Sequence, residues 1–167
     1  MIKKGVNTTS SYPFATYLNT YLSEQIKLAD TKGAWTFSVL AAGTATFSAI
    51  TSKMPVEQLR QFRTLFLFAC TIILLTIAFK HVMLVMYPRM GKGTKNRYIY
   101  FNDIMTTTKE TYIRDIMNTN ETTKTKMLLG NAYDLAAITQ KKFKHLRLAI
   151  IGTLITLGWM AVMLFIL

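Results

Sequence analysis

The side chains able to carry out acid–base, nucleophilic or metal chemistry are few in this sequence and far apart. Its eight carboxylates (Glu24, Asp30, Glu57, Asp103, Glu110, Asp115, Glu121 and Asp134) form no pair at the spacing of a general acid and base, and no Ser-His-Asp arrangement recurs. Two histidines, His81 and His145, leave little for a metal centre. The single cysteine, Cys70, can build neither a disulfide framework nor a cysteine-based zinc site by itself. The stretch Gly91-Lys92-Gly93-Thr94-Lys95 superficially looks like a phosphate loop. It lacks the spacing G-x-x-x-x-G-K-[ST] and follows an apolar helix where a strand is required. The expectation is a protein that is not an enzyme and needs no cofactor or metal.

What the chain does have is apolar surface and positive charge. Of its 167 residues 51% are hydrophobic and only 17% charged, against roughly a quarter charged in soluble domains. A net charge of +12 beside a mean hydropathy of +0.26 requires basic and apolar residues to be segregated along the chain. Disorder is excluded by the hydrophobicity. Leu148 to Leu167 holds no charge over twenty residues, which at ~1.5 Å per residue spans the ~30 Å hydrocarbon core of a bilayer. Thr64 to Phe79 is likewise uncharged and continues through Lys80 and His81 to Tyr87, with Arg63 and Lys80 placed to snorkel to opposite headgroup regions. Ala34 to Ser52, bounded by Lys32 and Lys53, is less hydrophobic and supplies a third candidate span. Met1 to Lys4 is basic, but polar residues follow it where a signal peptide needs an apolar region, so the N-terminus is expected to be retained.

The distribution of Lys and Arg sets an expected orientation. Residues 1–33 carry four, 53–63 three and 80–147 thirteen, so seventeen of the twenty share one side. The positive-inside rule places that side in the cytoplasm. This topology accounts for the basic excess that would otherwise suggest nucleic-acid binding, and no nucleic-acid partner is expected.

The flanking segments read as helices. Phe14, Leu18, Tyr21, Leu22, Ile26 and Ala29 recur at helical spacing after a start at Ser11 and Pro13. Pro55 with Glu57 is expected to begin the second long helix, and Pro88, Gly91 and Gly93 to end it. The aromatic run 97–101 suits an extended piece or a helix start. Ile104, Met105, Tyr112, Ile113, Ile116 and Met117 suit a short amphipathic helix. A polar break over 118–123 precedes a last helix with the stripe Leu128, Ala132, Leu135, Ile138, Phe143 and Leu146. The fold class is thus an all-α membrane protein with three transmembrane helices, two of them extended into a small cytoplasmic helical module. The expected division is a cytoplasmic N-terminal segment 1–33, spans at 34–52, 64–87 and 148–167, an outer turn at 53–63 and the cytoplasmic module at 88–147. Both extensions leave the membrane on one side, so they run parallel and pack on each other, with residues 89–120 covering them.

Four blocks of this sequence resemble those of the Pycsar transmembrane effector family. Ala29-Asp30-Thr31-Lys32-Gly33 is similar to A-D-x-K-A and Tyr87-Pro88-Arg89 to P-R. Tyr100-Phe101-Asn102-Asp103-Ile104 is similar to F-F/G-x-I, and the run from Leu135 to Arg147 to L-x-x-I-x-x-x-K-Y/F-x-x-L-R. Their order and spacing hold from about residue 22 onward. Gly33 stands where alanine is usual, and Asn102 where glycine is common. The resemblance implies antiphage defence in a prokaryote. A companion pyrimidine nucleotide cyclase makes cyclic CMP or cyclic UMP on infection, and the multi-pass effector in the inner membrane responds by impairing membrane integrity, leading to abortive infection.

A cyclic mononucleotide presents one phosphate charge and a flat base, which suits a basic residue beside an aromatic one. The residues expected to bind it are Asp30, Lys32, Arg89, Arg97, Tyr98 and Lys142, with Lys92, Lys95, Tyr100 and Lys141 near them in sequence. Asp30 and Lys32 form a matched pair within one motif. Within the first span, Ala41, Ala45 and Ala49 form a small-residue face that allows close helix approach, and Thr44, Ser48 and Thr51 a neighbouring hydroxyl stripe. These six are expected to form an oligomer face or a membrane path, because three helices are too few to enclose a water-filled pore in a monomer. Two other readings share the same spans. One is a constitutive small membrane protein, such as a channel or transporter accessory subunit or a holin-like protein. The other is a related effector gated by a cyclic oligonucleotide.

Overall fold

The computed structural model describes residues 8–87 and 104–166, and among these every regular element is a helix. Helix α1 spans Thr8–Thr51, α2 Val56–Leu59, α3 Phe62–Met86, α4 Lys109–Asn118 and α5 Glu121–Ile166. The chain forms two compact units. One takes residues up to 27 together with 88–140, the other residues 28–87 together with 141–167. Helices α1 and α5 contribute to both.

Three of the helices, α1, α3 and α5, are long and apolar enough to cross a membrane. Only 17%, 17% and 28% of their most apolar stretches are buried within the protein. Apolar helices that hide so little of themselves from their surroundings need hydrocarbon around them. The expected all-α membrane fold with three spans is the observed one.

Three element boundaries differ from expectation. Helix α1 begins at Thr8, about one turn before Ser11, and encloses Pro13. A proline this near the N-terminus forfeits a single backbone hydrogen bond and so does not fix the helix start. The second long helix begins at Phe62 rather than at Pro55. Residues 56–59 form the separate short helix α2, and Gln61 stands extended at ψ 134° before α3. Local signals at Pro55 and Glu57 start a helix, but the connection must reverse direction within a few residues, which ends it after one turn. The break between α4 and α5 shrinks from 118–123 to Thr119 and Asn120. The Asn120 side chain accepts a bond from the Thr123 amide at 2.8 Å, so Glu121, Thr122 and Thr123 form the first helical turn rather than a loop.

Other boundaries follow directly from sequence. The last helical bond of α3 runs from the Tyr87 amide to the Met83 carbonyl at 2.8 Å, and Tyr87 itself is extended, as the residue before Pro88 must be. Thr108 caps α4 by accepting from the Thr111 amide, with Glu110 in the first turn. Ile104 and Met105 lie outside α4.

In the unit formed by residues up to 27 and 88–140, α1 meets α5 through small and polar groups. Ala15, Ala132 and Thr125 are buried. The Asn19 amide donates to the Ala15 and Leu128 carbonyls, both at 2.8 Å, and the Asn131 amide donates to Asn19 Oδ1 at 2.5 Å. A pair of asparagines bonded across a helix interface admits one register only, the use best attested for buried polar pairs.

In the other unit α1, α3 and α5 form a three-helix bundle, with α3 antiparallel to its two neighbours. One apolar cluster joins Ala29, Val85 and Leu146 with Phe143. A second joins Phe47, Met160 and Met163 with residues including Phe68, Leu75 and Leu157. Two glycines, Gly33 and Gly43, mark close approaches. A Cβ on Gly43 would fall 2.2 Å from Leu157 Cδ2, and one on Gly33 2.9 Å from Val85 Cγ1. Between α3 and α5 the Trp159 indole donates to the Thr71 hydroxyl at 3.0 Å, and Thr71 donates in turn to the Leu67 carbonyl at 2.9 Å.

Candidate functional site

The ammonium of Lys142 on α5 donates to the carboxylate of Asp30 on α1. Its setting explains the pairing. Ala29, next to Asp30, packs with Val85 and Leu146, and Phe143, next to Lys142, packs against the same cluster. The absence of a side chain at Gly33 lets Val85 close in from α3. Small residues on α1 and bulky apolar ones on α5 therefore bring the two helix backbones near enough for the lysine to lie along the interface. Only 5% of the Lys142 side chain is accessible, whereas 42% of the Asp30 side chain is. The cation is sheltered by the bundle and its counter-ion sits at the edge. Such a pair costs desolvation on both sides and is favourable only while both members are present.

The residues of the first and last motif blocks thus converge: Ala29, Asp30 and Gly33 from one, Lys142, Phe143 and Leu146 from the other. Asp30 is not matched with Lys32, as their shared motif suggested. Residues two apart on a helix face different ways, so Asp30 turns to α5 while Lys32 is exposed. Arg89, Arg97 and Tyr98, with Lys92, Lys95 and Tyr100, lie outside the described residues.

Beside this pair are two histidines that sequence spacing gave no reason to connect. His81 stands one turn before Val85 on α3 and His145 immediately before Leu146 on α5, with their Nδ1 atoms 3.4 Å apart. Among the described residues no group of three or more His, Cys, Asp or Glu gathers as metal ligands would.

On the first span, Ala41, Ala45 and Ala49 are exposed, while Gly33 and Gly43 of α1 lie in close approach to Val85 and Leu157. An open groove of about 590 Å³ between α1 and α3 is lined by Ala41, Ala45, Thr44 and Ser48 with Phe37 and Phe79 at one end. Thr44 donates to the Leu40 carbonyl at 2.7 Å, and Thr51, which is buried, to the Phe47 carbonyl at 3.0 Å. Both hydroxyls are satisfied by their own helix and need no partner chain to be tolerated in a bilayer.

The sequence model of the Pycsar effector protein domain matches residues 14–167. The chain belongs to this family. The match takes in all three spanning helices and the Asp30–Lys142 pair, so the protein is a Pycsar antiphage effector of the membrane. No curated protein and no solved structure matches the chain. In the other unit, the sequence signals that could have revealed the contact of α1 with α5 are polar residues inside apolar stripes. Asn19 lies within the run Leu18 to Leu22, and Asn131 between Leu128 and Ala132.

Proposed function

We propose that this Pycsar effector resides in the prokaryotic inner membrane with its N-terminus in the cytoplasm, and that it answers a cyclic pyrimidine mononucleotide, cyclic CMP or cyclic UMP. A companion pyrimidine nucleotide cyclase supplies the ligand during infection. The effector transforms nothing. It converts ligand binding into loss of membrane integrity, leading to abortive infection, and acts as a homo-oligomer whose subunits meet at the first span.

The observation that carries this reading is the convergence of two family blocks on the Asp30–Lys142 pair, within a match that runs from residue 14 to 167. A phosphate is a competing anion for a lysine already held by a carboxylate. Binding at Lys142 while Asp30 holds it in place makes the contact of α1 with α5, inside the bundle that spans the bilayer, answer to the ligand, so the response needs both members of the pair. Lys32, exposed near Asp30, adds positive charge for the ligand. Arg89, Arg97 and Tyr98 complete the proposed set as basic and aromatic groups for phosphate and base.

The test is membrane depolarisation after infection, followed by a voltage-sensitive dye in cells that carry the cyclase. Wild-type effector should depolarise the membrane only after infection. Arg89→Ala and Asp30→Ala should abolish the response while still reaching the membrane. Depolarisation without cyclase or infection would instead mark a constitutive membrane protein. Calorimetry with purified protein and cyclic CMP, cyclic UMP and a cyclic dinucleotide identifies the ligand class separately.

A further inference from the structure

Helices α1 and α5 leave an open crevice of about 220 Å³ between them on the outside of the bundle, walled by Trp35 and Val39 of α1 and by Ile150 and Leu154 of α5. Each wall has a cation at the end where the spans begin. Lys32 precedes Trp35 by three residues and Val39 by seven, and Arg147 precedes Ile150 and Leu154 by the same steps, so each cation shares a helix face with its wall. Asp30 meets Lys142 and Gly43 lies against Leu157, so α1 and α5 run parallel in a register that puts Arg147 within one helical turn of Lys32 along the bundle. Two positive charges therefore flank one end of a single apolar crevice.

Neither charge is answered within the chain. Lys32 and Arg147 are exposed, and among the described residues neither side chain has an ion-pair or hydrogen-bond partner. In this unit, residues 28–87 and 141–167, the acidic side chains are Asp30 and Glu57 alone. Asp30 is taken by Lys142, and Glu57 belongs to α2 at the opposite end of the spans. Trp35 is 70% exposed at the boundary of its span, where an indole keeps its ring in hydrocarbon and its N–H towards the headgroups.

We propose that this crevice binds an anionic phospholipid. Both helices enter the membrane from their N-terminal ends here, so the side chains of Lys32 and Arg147 lean back towards the headgroup region and hold the lipid phosphate between them. The Trp35 indole donates to a headgroup or ester oxygen. One acyl chain lies along Val39, Ile150 and Leu154. The hydrocarbon surroundings call for an apolar occupant and the two cations for an anion, and an anionic phospholipid is both in one molecule. Once occupied, the site ties α1 to α5 from outside, in the same part of the bundle as the Asp30–Lys142 pair. Lys32 also belongs to the proposed nucleotide set, so the test must separate a lipid phosphate from a soluble one.

The experiment uses the full chain with Trp159→Phe, which leaves Trp35 as the only tryptophan, reconstituted in phosphatidylcholine vesicles containing a fixed share of phosphatidylglycerol. Bromine on the acyl chains of one lipid or the other quenches Trp35 by contact. If Trp159→Phe fails to keep its helix content by circular dichroism, the difference between wild type and Trp35→Phe supplies the same signal. Brominated phosphatidylglycerol should be preferred over brominated phosphatidylcholine by roughly fivefold or more, and Lys32→Gln and Arg147→Gln should each lower that preference about fivefold, the worth of one basic residue at an anionic surface. Cyclic CMP and inorganic phosphate at millimolar concentration should leave the quenching unchanged. Equal quenching by the two lipids, or a preference kept in full by both variants, overturns the proposal. Relief of quenching by either soluble anion overturns it as well and assigns the two cations to that anion.

Discussion

Asp30 and Lys142, 112 residues apart in the chain, are ion-paired across α1 and α5 with unequal shelter: the lysine is almost wholly covered and the aspartate nearly half open. That inequality determines which partner is the more costly to lose. Replacing Asp30 by Asn strands a covered ammonium, a defect of about 3–5 kcal/mol. Replacing Lys142 by Met leaves a carboxylate that water can reach, at about 1–3 kcal/mol. The expected order of stability in denaturant unfolding in micelles is wild type, then Lys142→Met, then Asp30→Asn. The double variant Asp30→Leu with Lys142→Met should recover most of the loss, because no charge is left unpaired. Equal losses from the two single changes would show that the lysine escapes to solvent when its partner is removed.

Gly33 departs from the alanine usual in its motif, and the structure supplies a reason in Val85. A Cβ at position 33 would meet Val85 Cγ1 at 2.9 Å, and a valine in a helix has little rotamer freedom with which to retreat. Overpacking of this kind costs about 1–3 kcal/mol, offset by about 1 kcal/mol of helix propensity gained by alanine. Gly33→Ala should therefore be neutral to moderately destabilising in thermal unfolding. Combined with Val85→Ala, the Gly33→Ala change should lose its overpacking penalty and show only the propensity gain.

Ala45 lies exposed in the groove between α1 and α3, so a larger residue there has room within its own subunit. If subunits meet at this face, Ala45→Leu should reduce crosslinked oligomer in membranes and weaken killing, while the folded monomer persists. Val39→Leu, a similarly exposed position outside that groove, should change neither. Intact oligomer and intact killing in Ala45→Leu would move the contact to another face.

The charge asymmetry predicts which residues face the cytoplasm. In a Cys70→Ser background, a cysteine at position 120 should resist an impermeant maleimide added to intact spheroplasts, and one at position 57 should react. Labelling at 120 from outside would invert the orientation, because both ends of the segment 88–147 are expected on one side.

The sequence by itself determined the helices that cross the membrane, because an uncharged apolar run of bilayer length has one inexpensive solution, with every backbone group bonded inside its own segment. It also determined where α3 stops, since Pro88 acts on its immediate neighbour. Local chemistry was sufficient for both. The tertiary structure decided the partners. Asp30 has Lys32 two residues away, yet its charge is met by Lys142, because helical geometry turns near neighbours apart and packing brings distant ones together. His81 and His145 met for the same reason, and Gly33 and Gly43, not the exposed alanines of the first span, face neighbouring helices closely. Spacing along one helix specifies a face. What lies against that face depends on how three helices share the small volume left between their side chains, and no single stretch of chain contains that information.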